Sequence, residues 1–261
     1  MPEGFAGAIF DVDGVLVDSP HERAWRESLR ELMEGSWSDI RPQTTWAPDA
    51  FTPLLYQQAV SGKPRMSGAR AALEHFGVPD AERRAVIYAD RKQAIVVELI
   101  EAGQFEAYPD ALRFVLAVKA AGTVIAAASS SKNAELYLRM IRLDTFASEQ
   151  GLASHVVTGG MTLFDIFDAD LSGRDFAQGK PHPEIFVTAA RELGVPRGRC
   201  FVVEDAVSGI QAAKAGDMAA LGVARADDAE ALAGAGADLV VTSLDDVDIE
   251  RLAEGRLAAL G

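Results

Sequence analysis

Ala8-Ile9-Phe10-Asp11-Val12-Asp13-Gly14-Val15-Leu16-Val17-Asp18-Ser19 is a strand-like apolar run that ends in two carboxylates two residues apart and turns at Gly14. Residues at that spacing on a strand face the same side. In an open α/β sheet, ligands gather at the carboxyl ends of the strands. Asp11 and Asp13 are therefore candidate active-site groups. The competing reading is a plain Asp-x-Asp-Gly surface turn, since Asp and Gly are ordinary turn residues.

Three further segments bear on that choice. A second strand-like run, Thr123 to Ala128, ends in Ser129-Ser130-Ser131-Lys132-Asn133 and is followed by a helical pattern from Ala134 to Leu143. A helix N-terminus of that kind is a natural seat for phosphate. Lys180 lies between Gly179 and Pro181-His182-Pro183, so prolines restrict the backbone that carries a single ammonium. Phe201-Val202-Val203 then runs into Glu204-Asp205, again two acids at the end of an apolar strand. Taken singly, Lys180 reads equally as a solvated loop lysine and Glu204-Asp205 as a helix N-cap. Their recurrence at successive strand ends favours one site.

Carboxylate nucleophile, hydroxyls, lysine and acid pair, in that order over nearly the whole chain, resemble the haloacid dehalogenase superfamily, in particular its β-phosphoglucomutase-like branch. The resemblance implies that Asp11 is a nucleophile that becomes an aspartyl phosphate and that Asp13 is the general acid/base. It further implies that Ser129 and Lys180 hold the phosphoryl group, and that Asp11, Glu204, Asp205 and the backbone carbonyl of Asp13 bind Mg²⁺. The physical chemistry is consistent with these roles. A phosphoryl group in transfer carries negative charge that a carboxylate nucleophile increases. A hard cation with oxygen ligands, a compact ammonium and hydroxyl donors offset it.

The organisation of the chain fits an α/β protein with a doubly wound parallel sheet and an inserted helical cap. Strand-like runs near 7–11, 123–128, 155–158, 167–171, 200–203, 218–223 and 238–242 alternate with helical patterns, most clearly Pro109 to Ala121, Pro183 to Leu193 and Ala206 to Ala215. Between the first two core strands lie about 90 residues with helical patterns and no convincing strand. Ser19-Pro20-His21-Glu22 reads as a capping box opening a helix to about Met33, with further helices over Pro48 to Val60, Ser67 to Phe76 and Ala81 to Ile100. The expected division is a core of 1–17 and 106–261 with a cap of 18–105, hinged at Asp18-Ser19 and Gln104 to Tyr108. The resemblance implies that the cap closes over the strand ends.

Substrate clues lie in the cap and beside Ser129. Gly62-Lys63-Pro64-Arg65 and Arg91-Lys92-Gln93 place positive charge in an acidic protein. The resemblance implies that this loop, with Gly62 and Lys63, touches a sugar phosphate, and that Arg65 and Lys92 grip the phosphate that is not reacting. It also implies that Ser131, Lys132 and Asn133 bind substrate and that His21 is a hinge histidine. The bland alternative for each of these cations is a solvated surface charge. His75, His155 and His182 have no metal-ligand spacing. Two departures from the branch's pattern affect the pocket: Ser61 stands where the branch has a lysine, and residues 144–163 form an extra segment expected to be a loop or short hairpin. Trp37 and Trp46 likewise mark a long stretch within the cap.

Composition narrows the function. The 261 residues are 49% hydrophobic and can bury a sizeable core, and a formal charge of −14 argues against nucleic acid or an anionic membrane as the partner. The single cysteine, Cys200, adjoins an apolar run and is expected to be packing rather than a nucleophile. No stretch reads as a leader or a membrane span, so a cytoplasmic monomer acting on a small sugar phosphate is expected. A mutase and a phosphatase share all the core residues. A dehalogenase would need no metal and lacks the second aspartate, and a receiver-type signalling module is smaller and capless.

Overall fold

The strand that leads into Asp11 is β1 (Gly7–Phe10), buried at every residue, as an apolar strand covered on both faces must be. The computed structural model describes residues 4–60, 63–152 and 155–261. The further strands are β2 (Val17–Asp18), β3 (Glu106–Ala107), β4 (Val124–Ala127), β5 (Ala169–Asp170), β6 (Cys200–Glu204), β7 (Ala219–Val223) and β8 (Leu239–Val241). Six strands make one sheet in the order β5-β4-β1-β6-β7-β8, with every pairing parallel. This is the doubly wound sheet expected from the sequence. Its order reverses around β1, which is where such sheets hold their ligands.

The register levels the strand exits that carry chemistry. Phe10 pairs with Ala127 on one side and Val203 on the other. One step further, the Asp11 N–H donates to Val203 O at 3.0 Å and the Ala128 N–H to Phe10 O at 2.8 Å. Asp11, Ser129 and Glu204 thus leave the sheet at the same end.

The chain forms two compact units, Met1–Ser19 with Glu106–Gly261, and Pro20–Phe105. The second is helical: α1 (His21–Glu34), α2 (Pro53–Leu55) running into a π turn over Tyr56–Val60, α3 (Arg65–His75) and α4 (Ala81–Glu101). Along α1 the buried residues Ala24, Trp25, Ser28, Leu29, Leu32 and Met33 follow the helical period. Trp25, Leu29, Leu32 and Met33 pack with Leu73, Phe76, Tyr88 and Ala89, and all three tryptophans of the chain, Trp25, Trp37 and Trp46, lie in that same cluster. The Tyr88 hydroxyl, buried with its ring against Trp25, donates to Trp25 O at 2.8 Å.

In the sheet unit the helices are α5 (Pro109–Ala120), α6 (Ala134–Met140), α7 (Leu143–Glu149), α8 (Glu184–Glu192), α9 (Val207–Ala215), α10 (Ala229–Gly234) and α11 (Ile249–Leu252). β2 and β3 pair antiparallel as a two-residue ribbon, Asp18 opposite Glu106. Cys200 is fully buried in β6, and burial pushes its thiol up to about 11.

Four local expectations are corrected. Residues 155–158 are turn and irregular rather than strand, because β-branched content makes a strand only where a sheet receives it. The helix expected through Leu143 breaks at Ile141 and Arg142, whose ψ angles of 114° and 94° are extended, and a separate α7 follows. The 144–163 segment is therefore part helix, and its loop is closed by an antiparallel bridge between Arg142 and Thr162. α1 has Pro20 as its N-cap with no side-chain cap bond, so Ser19 is one residue outside the helix and makes no capping box. Among the described residues no helix is long and apolar enough to cross a membrane.

Candidate active site

Two tight turns set the acids at the carboxyl edge of the sheet. After Asp11 the chain reverses at once: Leu16 and Val17 N–H groups donate to Val12 O, and the Gly14 N–H donates to Val17 O at 2.8 Å. Gly14 has φ of +83°, and a Cβ there would run into the Asp205 carboxylate. Only glycine meets both demands, and the collision shows how closely Asp205 lies against this turn. The second turn follows β6, where the Ala206 N–H donates to Glu204 Oε2 at 3.2 Å. A Cβ on Gly209, one turn into α9, would strike the Glu204 carboxylate. The helix can pass behind that carboxylate only with glycine there.

Lys180 sits between the two acid pairs. Its Nζ donates to Asp11 Oδ1 at 2.6 Å and to Glu204 Oε1, and lies 4.9 Å from the centre of the Phe186 ring. Asp11 is 6% exposed and Glu204 1%. Desolvation raises Asp11 above its ordinary value, Lys180 opposing and Asp13 adding to the rise. Glu204 is pushed up to about 7, by burial first and by the Asp11 charge, against Lys180. Asp205 is held well above its usual value by desolvation and by the charges of Glu204 and Asp11. Burial works against the Lys180 charge, yet Asp11 and Glu204 outweigh it and hold the ammonium above its ordinary value.

The hydroxyl loop joins the same end. Ser129 Oγ donates to Asp13 Oδ2 at 3.3 Å and accepts from the Ser131 N–H at 3.0 Å. Ser131 Oγ accepts from the Asn133 N–H at 3.3 Å, and Asn133 is buried. Lys132 turns toward the 173–175 loop, donating to Gly173 O and to Asp175 Oδ1, both at 2.6 Å. Ser130, Lys132, Arg174, Gln178 and Lys180 line a cavity of about 180 Å³ in this unit. A wider depression of about 620 Å³ lies at the β8 edge, lined by Val240, Thr242, Asp246 and Leu260, and shares no residue with the acid cluster.

The candidate residues of the helical unit fall into two kinds. Lys92 is 5% exposed, 5.2 Å from the Trp25 ring centre and 3.4 Å from His21 Nδ1. Its surroundings and the Lys92 charge push His21 down to about 3, so the ring is neutral. Lys63 and Arg65 are exposed, and Arg65 donates to Gln93 Oε1 at 2.9 Å. Arg91 is engaged by Glu31 and Glu98. Gly62, like Ser61, lies outside the described residues.

Four acids share one ammonium in this cluster, three of them raised by burial and by one another's charge, and the donors on offer are hard oxygens, the chemistry that suits Mg²⁺. Among the described residues no three His, Cys, Asp or Glu side chains are converged as a ready ligand set. The donor chemistry and the raised acids fit a divalent cation. The sequence reading missed Gly209 and Arg225. Arg225 alone had a visible signal, a lone cation after the apolar β7 run.

Residues 5–217 match the sequence profile of a family described as a hydrolase, haloacid dehalogenase-like. The chain belongs to that family. A β-phosphoglucomutase from Mycobacterium tuberculosis is 31% identical, over 94% of this chain and 92% of the relative. A fructose-1-phosphate phosphatase from Escherichia coli is 28% identical, over 85% of this chain and 98% of the relative. Among solved structures, an archaeal β-phosphoglucomutase from Pyrococcus superposes with a TM-score of 0.70 at 31% identity, covering 96% of this chain and 99% of that one. The protein is thus an enzyme of the family's phosphomutase and phosphatase group.

Proposed function

We propose that this haloacid dehalogenase-like enzyme carries out Mg²⁺-dependent phosphoryl transfer on a sugar phosphate through an aspartyl phosphate at Asp11, with a second sugar phosphate as the preferred acceptor. The observation that carries the reading is the buried Asp11–Lys180–Glu204 cluster beside the Asp13–Ser129 contact. Asp11, Glu204 and Asp205, with the Asp13 carbonyl, would hold the Mg²⁺ ion, which when bound neutralises charge on the phosphoryl oxygens.

The chain's own groups divide the remaining work. An Asp11 carboxylate oxygen forms the new bond to phosphorus as the bond to the leaving oxygen breaks, and Asp13 gives its proton to that oxygen. Lys180 and Ser129 donate to the phosphoryl oxygens. In the second half, Asp13 takes the proton from the incoming hydroxyl as its oxygen bonds to phosphorus and the bond from phosphorus to Asp11 breaks, restoring the carboxylate. Ser131, Lys132 and Asn133 are assigned to the substrate, and His21, Gly62, Lys63, Arg65 and Lys92 to the sugar and its non-reacting phosphate. A monomer is part of this reading. A cytoplasmic setting belongs to the same reading, because charge retains phosphorylated sugars inside cells.

A hydrolytic outcome differs only in that water is the acceptor. It has support from the 28% identity to a fructose-1-phosphate phosphatase and from the exposure of Arg65. One assay separates the outcomes. Given β-glucose 1-phosphate, a trace of the bisphosphate and Mg²⁺, the wild type should form glucose 6-phosphate faster than inorganic phosphate, and Arg65→Ala should reverse the order. Phosphate release that outruns isomerisation for every hexose phosphate tried selects the hydrolase. Full turnover in a chelator overturns the Mg²⁺-dependent reading altogether.

A further inference from the structure

Arg225 follows β7 at the carboxyl end of the sheet, and its side chain is spent on three partners at once. Nε donates to Gly14 O at 3.3 Å, one terminal nitrogen to Val15 O at 3.1 Å, and the other to Asp110 Oδ2 at 2.8 Å. The guanidinium carbon lies 3.9 Å from the centre of the Tyr108 ring. Gly14 and Val15 are the two residues after Asp13, and Tyr108 and Asp110 flank the start of α5. The Tyr108 N–H itself donates to Leu16 O at 3.0 Å.

Asp110 is a fixed anchor for this arrangement. It also accepts from the Leu244 N–H at 2.8 Å and from Ser243 Oγ at 3.4 Å, and the side chains of Asp110 and Arg225 are 10% and 16% exposed. A planar fork spreads its donors over two carbonyls and a carboxylate while its face stacks on a ring; an ammonium gathers its three donors at one nitrogen and has no face to stack.

We infer that Arg225 is a positioning residue that fastens the turn behind Asp13 to the Tyr108–Asp110 segment, and so aims the Asp13 carboxyl at the leaving oxygen. This rests on the acid/base role proposed above for Asp13. In that step the bond from phosphorus to the leaving oxygen breaks, the bond to Asp11 forms, and the proton passes from Asp13 to the leaving oxygen. A sugar alkoxide needs that proton, whereas a nitrophenolate leaves without it. Misplacing Asp13 therefore slows phosphate transfer to Asp11 from one ester and spares it from the other. A loss of folded enzyme would slow both alike.

The test compares wild type, Arg225→Lys and Asp110→Asn on a hexose phosphate and on p-nitrophenyl phosphate, with thermal melting as a check on folding. Arg225→Lys should lower kcat for the hexose phosphate by about 10²-fold. Its rate of single-turnover nitrophenolate release from p-nitrophenyl phosphate, which reads phosphate transfer to Asp11 alone, should stay within about threefold. Asp110→Asn, which keeps an acceptor for Arg225 but removes its charge, should fall between. Equal loss on both esters, no loss on either, or failure of both variants to fold overturns the assignment. If the wild type turns over neither ester, the phosphoryl-transfer reading itself fails and takes this inference with it.

Discussion

Asp11 and Asp13 stand two residues apart, yet their surroundings part them. Asp11 is buried and held by Lys180, whereas Asp13 is partly exposed and meets the Ser129 hydroxyl. Asp11→Asn keeps the volume and removes the attacking oxygen charge, so turnover should disappear while the thermal melt stays near wild type. Asp13→Ala should slow hexose phosphate turnover by about 10²–10⁴-fold and still permit phosphate capture from an aryl ester; an unchanged hexose phosphate rate would remove Asp13 from proton transfer. His21 gives a pH prediction. The unfolded chain takes up its proton near 6.5, but the folded one holds out to about 3, so the fold loses stability as pH drops through that window. His21→Gln should flatten the fall in urea-unfolding free energy below about pH 6.5, and parallel profiles for the two proteins would contradict this. The proposed acids and Ser129 stood out in the sequence because they lie at the ends of apolar strands, where a polar group is conspicuous, and Lys180, in the loop between β5 and α8, stood out by its flanking prolines. Arg225 showed only as a lone cation after an apolar strand, since its role depends on carbonyls more than 200 residues away.

At the scale of elements, the same contrast separates what was legible from what was not. β1, β4, β6 and β7 announce themselves by apolar runs because each is buried in a parallel sheet. His155-Val156-Val157-Thr158 carries a similar signal without being a strand, because local pattern does not say whether a sheet is there to pair with. The helix through 134–149 breaks where Ile141 and Arg142 turn extended, in a stretch with no Gly or Pro to mark it. Gly209 in α9 is a case in which tertiary packing reverses propensity. Ala is the better helix former by about 1 kcal/mol, yet its Cβ would strike the Glu204 carboxylate. Since that carboxylate can shift only by giving up its bonds to Lys180 and to the Ala206 N–H, Gly209→Ala should lower kcat at least about tenfold with little change in melting temperature. A variant with wild-type kcat would show that Glu204 needs no fixed position.

For the whole molecule, the sequence made the division into sheet and inserted helices legible through a change of period, from strand alternation to the 3.6-residue repeat along α1 and α4. The proposed sugar was not legible, because the cations assigned to it, such as Lys63 and Arg65, are exposed, and their chemistry alone does not separate a ligand from water. The two units also carry different optical and chemical labels. Every indole of the chain is buried in the helical unit, and its one thiol is buried in β6. Intrinsic fluorescence is therefore a private reporter of one unit, and the rate of alkylation at Cys200 a private reporter of the other. In a urea series, orthophosphate with Mg²⁺ should delay thiol labelling, because the proposed site is built on the sheet that shields Cys200. If the units melt independently, the indole emission curve will stay where it was; if they melt as one, both readings will move together, and a single protein without any added dye will report how far folding is shared between them.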